Sequence, residues 1–148
     1  VDATITLTVY DPGLVPVPNV PATEMWLEKE HVGGTGNFVA CLGGTLADGP
    51  TNAQGVTHWV QPLNAGGWST ARTLVVINGT PLATSAGLVL RHNSADLNGD
   101  GVVNLADVPL FAADFSGSYR FRSDLHYDGV INLGDIPRMA IGIGAACP

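Results

Sequence analysis

Oxygen-bearing side chains recur at regular steps in one segment of this chain, from Asp96 to Asp107. A hard cation such as Ca²⁺ takes about six to eight oxygen ligands, and a twelve-residue loop supplies them from positions 1, 3, 5, 7, 9 and 12. Gly101 stands at position 6, where a sharp turn needs free backbone dihedrals. The spacing predicts a calcium site made by Asp96, Asn98, Asp100, the Val102 carbonyl, Asn104 and Asp107.

The same pattern recurs 28 residues further along, from Asp124 to Asp135. An internal repeat of this kind indicates a duplicated structural unit. At position 8 of the two loops, Val103 and Ile131 are expected to point inward and to pair with each other. The chain is therefore predicted to carry two related calcium loops.

A short helix is expected after each loop. Pro109 and Pro137 follow the last ligand of their loops, and proline is tolerated only in the first turn of a helix. The helices should therefore begin near Asp107 and Asp135. The first is predicted to run through Leu110, Phe111 and Phe115, and the second, made brief by its glycines, through Met139 and Ile143.

These loops resemble the dockerin type I repeat, from Ser94 to about Gly144. As in that family, position 12 is Asp rather than Glu, and one helix follows each loop. The resemblance implies a second calcium site. His126 departs from the family at position 3, and imidazole is a poor calcium ligand, so this site is expected to be weaker, completed by water, or empty. Its other ligands are Asp124, Asp128, the Val130 carbonyl, Asn132 and Asp135.

Residues 1–93 show the alternation of half-buried strands. The clearest strand covers residues 3–10, and further strands are predicted at 23–30, 37–42, 55–61, 72–78 and 87–92. No stretch is long and periodic enough for crossover helices, which favours an antiparallel β-sandwich. The strand at 3–10 places four apolar side chains on one face, those of Ala3, Ile5, Leu7 and Val9.

Two segments of this part resemble recurring pieces of bacterial Ig-like surface modules. They are Val-Pro-Val-Pro-Asn-Val at 15–20 and Thr-Asn-Ala-Gln-Gly-Val-Thr at 51–57. The resemblance covers roughly the first ninety residues. The predicted fold class is thus mainly β, with an Ig-like β-sandwich over residues 1–93 followed by a small α, EF-hand-like calcium-loop domain over residues 94–148.

Composition limits the partners and the compartment. Six basic and thirteen acidic residues give a net charge of −7, which would repel nucleic-acid phosphates and anionic lipid. No stretch approaches the ~18 apolar residues of a membrane span, and no signal-peptide pattern precedes a mature start at Val1. The low charge and abundant Gly, Thr and Asn are typical of a secreted or surface-exposed bacterial protein.

The two cysteines, Cys41 and Cys147, permit one disulfide, which fits export to an oxidising space. Two unpaired buried thiols are the alternative. The sequence leaves this choice open.

Several other motifs have ordinary structural explanations. Gly33 to Gly36 lacks the Lys-Ser/Thr ending of a phosphate loop and is interpreted as a turn. Asn78-Gly79-Thr80 matches a glycosylation sequon, but Asn-Gly is also a strong hairpin turn, which is favoured. Scattered histidines and three tryptophans could suggest zinc binding or sugar stacking, and core or surface roles are favoured for His31, His58, His92, His126, Trp26, Trp59 and Trp68.

An enzyme is the least supported class, because no activated nucleophile or cofactor loop accompanies the acids. The first hypothesis is a subunit of an extracellular homopolymeric fibre, in which strand 3–10 completes a neighbouring copy's sandwich. The alternative for this strand is a place in its own sandwich. The second hypothesis is an adaptor that docks a cohesin-like partner, although loop positions 10 and 11, usually polar in dockerins, hold Leu105, Ala106, Leu133 and Gly134.

Overall fold

Short strands are spread along the chain from Ile5 to Asn93, and the α-helices are confined to its last third. The computed structural model describes residues 4–60, 63–82 and 86–148. The prediction of a mainly β chain is confirmed. The elements are β1 (Ile5–Thr8), β2 (Met25–Lys29), β3 (Val39–Ala40), β4 (Val56–Trp59), β5 (Ala65–Gly66), β6 (Trp68–Ser69), β7 (Thr73–Ile77), β8 (Thr80–Pro81), β9 (His92–Asn93), α1 (Val108–Phe115) and α2 (Asp135–Gly142), with 3₁₀ turns at Ala22–Glu24 and Phe121–Ser123.

The first predicted strand pairs within its own chain. β1 lies antiparallel to β4, and Leu7 is buried while Thr6 faces solvent. Ile5 and Val9 pack against the same core as Leu7, as the alternation predicts. Ala3 lies outside the described residues. In this structure β1 therefore completes a sheet of its own chain.

A second, three-stranded sheet has the order β2-β7-β8. Asn78 and Gly79 connect β7 to β8 with φ values of 51° and 75°. A two-residue type I′ hairpin requires positive φ at both positions, which explains the Asn-Gly pair. The predicted hairpin turn is present, and Asn78 is exposed there.

The two sheets share one hydrophobic core, because the segment 45–49 passes from one to the other. The N–H of Leu27 in β2 donates to the Thr45 carbonyl, and the N–H of Asp48 donates to the His58 carbonyl in β4. Apolar side chains of both sheets therefore meet. The buried members are Leu7, Met25, Leu27, Ala47, Trp59 and Val75.

Most predicted strands are shorter than their sequence patterns indicate. Residues 22–24 form a 3₁₀ turn before β2, and the range 37–42 keeps only β3. In the range 87–92, Leu88 makes an isolated bridge to Thr73 before β9 begins. Glycines with positive φ lie at the ends of these segments, such as Gly36, Gly43 and Gly87. The described strands consequently form four small sheets.

The last third has a core of its own, built from both loops and both helices. α1 and α2 begin at Val108 and Asp135, each with a proline in its first turn. α2 ends at Gly142, so the prediction that it extends through Ile143 is wrong. Gly144 takes a φ of 93°, a conformation that ends helices. The buried core residues are Leu97, Val103, Phe111, Leu125 and Met139, with Ile131 packed against them.

A disulfide connects the β part to the last residues of the chain. Cys41 and Cys147 are bonded across a sequence separation of 106 residues, so the disulfide interpretation is confirmed over the two free thiols. Closing a loop of about this length removes denatured-state entropy equivalent to roughly 4.7 kcal/mol. The bond should therefore make the two parts unfold together.

Replacing Cys41 and Cys147 with Ala should lower the free energy of unfolding by about 4 kcal/mol, because the denatured chain regains its loop entropy. Urea denaturation would measure this loss. The reduced wild-type protein is the matched control and should behave like the double variant. An unchanged unfolding midpoint would contradict the stabilising role of the bond.

His92 in β9 is partly buried, between Thr73 and Phe38. Its Nε2 lies 2.8 Å from Thr73 Oγ1, and its ring centroid is 5.1 Å from that of Phe38. Burial lowers the pKa of His92 below its usual 6.5, because the protonated ring would lose solvation. The folded chain therefore binds this proton more weakly than the unfolded chain does.

Stability should fall as the pH drops through about 6.5, because the unfolded chain then takes up a proton that folded His92 resists. His92→Gln should remove most of this dependence between about pH 7.5 and 5.5 in chemical denaturation. His31→Gln, at an exposed position, is the control and should keep the wild-type slope. Equal slopes in wild type and His92→Gln would refute the assignment.

Candidate metal centre

The first loop is closed by the carboxylates at its two ends. The side chains of Asp96 and Asp107 are 2% and 0% exposed. Asp96 accepts hydrogen bonds of 2.8, 3.2 and 2.8 Å from the backbone N–H groups of Gly99, Asp100 and Gly101. Asp107 accepts bonds of 3.0 and 2.9 Å from the N–H groups of Asn98 and Asn104.

The second loop repeats this arrangement. Asp124 and Asp135 are also buried, at 2% and 0% exposure. Asp124 accepts bonds of 3.2 and 3.0 Å from the N–H groups of Asp128 and Gly129, and a bond of 2.9 Å from the Tyr119 hydroxyl. Asp135 accepts bonds of 2.9 and 2.8 Å from the N–H groups of His126 and Asn132. The 28-residue sequence repeat is thus a structural repeat of hydrogen bonds.

The turn at position 6 is as the sequence predicts. Gly101 and Gly129 have φ values of 85° and 86°, which residues other than glycine rarely adopt. At position 4 the loops differ, because Gly99 in the first corresponds to Tyr127 in the second, with a φ of 59°. A tyrosine in this region is strained, and its hydroxyl donates to the Asn93 carbonyl over 3.3 Å.

The remaining donors of the first loop lie nearer to solvent and bond to one another. Asn98 Nδ2 donates to Asp100 Oδ2 over 2.9 Å, and the N–H of Val102 donates to Asp100 Oδ1 over 2.9 Å. Asn104 Oδ1 accepts from the N–H of Ala106. Within residues 4–60, 63–82 and 86–148, no three His, Cys, Asp or Glu side chains are arranged to hold a metal ion. A bound cation would have to replace these local hydrogen bonds.

The second loop has a different set of exposed groups. His126 Nδ1 lies 3.4 Å from Asp128 Oδ2, and Asn132 Nδ2 donates to the same oxygen over 3.2 Å. The N–H of Val130 donates to Asp128, and chiefly this bond, with His126 and Asn132, lowers the pKa of that carboxyl. Asp128 is therefore held in its charged form, as a cation ligand requires.

The four buried carboxylates have no cationic side-chain partner. Among the described residues, the ion pairs join Arg122 to Asp114 and His126 to Asp128, so none reaches the loop-end aspartates. A buried charge is costly unless it is paired, hydrogen-bonded or bound to a metal. Backbone N–H groups meet part of this need. The oxygen-only donor set of the first loop fits a hard cation such as Ca²⁺, which would supply the missing positive charge.

Tertiary contacts add residues that the spacing does not indicate. Asn37 donates from Nδ2 to the Leu97 carbonyl over 3.1 Å, 60 residues away along the chain. Between the loops, Arg122 forms a bidentate pair with Asp114 at 2.6 and 3.0 Å. Burial raises the pKa of Asp114, but hydrogen bonds from Arg122 and Ser123 outweigh this effect and leave it lowered. No sequence signal marks Asn37, because only folding brings it to the loop.

The other candidate groups are dispersed. Trp59 is 2% exposed and donates to the Thr45 carbonyl, so it belongs to the core and cannot stack on a sugar. Trp26 and Trp68 lie on β2 and β6, in different sheets. Each described histidine has separate surroundings, and Gly33 to Gly36 form a turn after β2.

None of the helices in the described parts of the chain is long and apolar enough to cross a membrane. A scan against protein-family models finds no match. A search of curated proteins finds no similar sequence.

Calcium should raise the melting temperature, because a ligand that binds only the folded form adds about 2.7 kcal/mol at a hundredfold excess over its Kd. Adding EDTA should reverse the rise. Asp100→Asn and Asp128→Asn should each reduce the calcium effect. Asp48→Asn is the matched control, since this exposed carboxylate also accepts a backbone N–H but lies outside the loops. The same melting curve with calcium and with EDTA would count against the metal site.

Proposed function

We propose that this chain is an extracellular structural protein, the subunit of a bacterial surface fibre stiffened by calcium. The observation that carries the proposal is the set of four buried aspartates at the ends of two loops, which have no cationic partner among the described residues. Calcium would neutralise these groups and fix both loops. Its role is structural, because the loop carboxylates are hydrogen-bonded into the framework of the fold.

The disulfide supports a secreted protein in an oxidising compartment. Disulfides persist outside the cytosol, where small domains also recruit metals to supplement a limited core. In this chain the bond and the first loop meet, because the N–H of Cys147 donates to the Gly101 carbonyl over 2.8 Å. The covalent and the metal-dependent elements would then stiffen the same region.

Assembly by strand addition is supported by the position of β1. This short strand pairs with β4 alone among the named strands, and its apolar face fills the core between two small sheets. The turn 11–14, where Leu14 has a φ of 61°, separates it from the next segment. The same strand could make the same contacts in a neighbouring copy, as in domain swapping, and thereby link subunits.

A second candidate is an adaptor that docks a cohesin-like partner. Leu105 and Leu133 occupy position 10 of the two loops and are 77% and 73% exposed. Ala106 and Gly134 beside them are also exposed. These equivalent apolar positions favour a binding surface, although a partner for it would need apolar rather than polar contacts.

Cross-strand cysteines would show which chain supplies β1. Thr6 and His58 lie directly opposite each other, with Thr6 Oγ1 3.1 Å from His58 Nδ1. Thr6→Cys combined with His58→Cys should form a disulfide between subunits in the fibre and a covalent ladder on a non-reducing gel. Sedimentation of the wild-type protein with calcium should show large polymers that dissociate when residues 1–10 are deleted.

The controls separate the two candidates. Thr6→Cys alone should give no ladder, because it lacks the opposite thiol. The fibre proposal would be overturned if the double variant formed its disulfide within a monomer and the wild-type protein also sedimented as a monomer. A gain in mass only when a cohesin-like protein is added would favour the adaptor.

A further inference from the structure

We infer that the β part holds the first loop ready for a metal ion, with Asn37 as a positioning residue, while the second loop is held by that part at fewer points. This inference rests on the proposed calcium binding. The two loops are similar in sequence, so the distinction comes from what surrounds each of them. Through these surroundings, the first loop connects the two parts of the chain.

Asn37 connects β6 to the first loop through both ends of its amide. Its Oδ1 accepts from the N–H of Trp68 over 3.1 Å, and its Nδ2 donates to the Leu97 carbonyl over 3.1 Å. The N–H of Asn37 also donates to the Trp68 carbonyl over 3.0 Å. The side chain is thus fixed on the β part and holds position 2 of the loop.

Two glycines allow the loop to approach the β part this closely. A Cβ on Gly66 would lie 2.1 Å from Asp96 Oδ2, and a Cβ on Gly99 would lie 2.7 Å from the Asn37 side chain. The N–H of Gly67 also donates to the Asp96 carbonyl over 3.0 Å. Positions 1, 2 and 4 of the first loop therefore rest directly on residues of the β part.

The chain segment after α2 holds the other side of the loop. The N–H of Val103 donates to the Ala145 carbonyl, and the N–H of Cys147 donates to the Gly101 carbonyl, both over 2.8 Å. Cys147 is in turn bonded to Cys41 of the β part. The first loop therefore lies between the β part and the segment after α2, and the disulfide joins these two to each other.

The second loop is held to the β part at fewer points, through Asn93 of β9. Its backbone start is held by Asn93, which donates to the Asp124 carbonyl over 2.7 Å, and Tyr119 donates to the Asp124 side chain. Asn93 also accepts a hydrogen bond from the Tyr127 hydroxyl over 3.3 Å. Its supports therefore come from the junction and from the loop's own half.

This difference predicts unequal metal binding. A loop already ordered by its surroundings loses less conformational entropy on binding, so preorganisation raises affinity. The coupling is reciprocal, since a metal that favours the ordered loop must also favour the contacts that order it. Calcium in the first loop would thus tighten the junction of the two parts, whereas calcium in the second would affect that junction less.

Calorimetric titration of the intact, oxidised chain with Ca²⁺ tests the inference. Asp100→Asn and Asp128→Asn assign the binding steps to the first and second loops. Asn37→Ala should weaken the first-loop step by about fivefold or more and leave the second unchanged. Asn52→Ala is the matched control, because the Asn52 amide also makes two hydrogen bonds to backbone groups. Its Oδ1 accepts from the N–H groups of Gln54 and Val56 at 2.9 and 3.0 Å, and neither residue belongs to either calcium loop.

Gly66→Ala provides an independent variant should Asn37→Ala not fold, since a Cβ at this position in β5 would displace the Asp96 carboxylate. It should weaken the same step.

Melting in calcium and in EDTA adds a second readout. Asn37→Ala should lose more stability in calcium than in EDTA, and Asn52→Ala should lose equal stability in both. If the wild type binds calcium and Asn37→Ala and Gly66→Ala both match the control, the inference is overturned while the proposed calcium role stands. If the wild type binds no calcium, the proposed function itself fails.

Discussion

The burial of four aspartates at the ends of two loops is the constraint on which the last third of the chain depends. Each carboxylate gathers backbone N–H groups that point inward only when the loop is wound in one way. The same winding places Leu97, Val103 and Ile131 against the helices. The acidic groups and the small apolar core therefore require each other, and the net charge buried there is the reason to expect a cation.

Backbone pairing, a side-chain hydrogen bond and a disulfide join the two parts of the chain. β6 pairs with β9, Asn37 reaches Leu97, and the disulfide returns the end of the described chain to the β part. Glycines at 66, 67 and 99 matter here because backbone and side chains approach too closely for a Cβ. Such a junction suits a module that transmits force, because neither part can rotate freely about a linker.

The proposed roles use different faces of the molecule. β1 and its turn supply the means of linking copies, whereas the paired exposed leucines of the loops offer a surface for another protein. Stiffening by calcium is common to both. The two roles differ in the sheet that β1 joins. β1 pairs with β4 of its own chain, and in the proposed fibre it would make the same hydrogen bonds in a neighbouring copy.

The sequence by itself determined the alternating strand β1, the Asn78-Gly79 hairpin, the twin loops with Gly101 and Gly129, and the near starts of both helices, because each depends on local backbone preferences. Strand lengths, the division into four small sheets and the end of α2 were decided by glycine conformations and by pairing between distant segments. Only the tertiary structure joined Cys41 to Cys147 and brought Asn37 to the first loop. Those contacts span 106 and 60 residues, and no periodicity in a sequence records which distant groups a folded core will bring together.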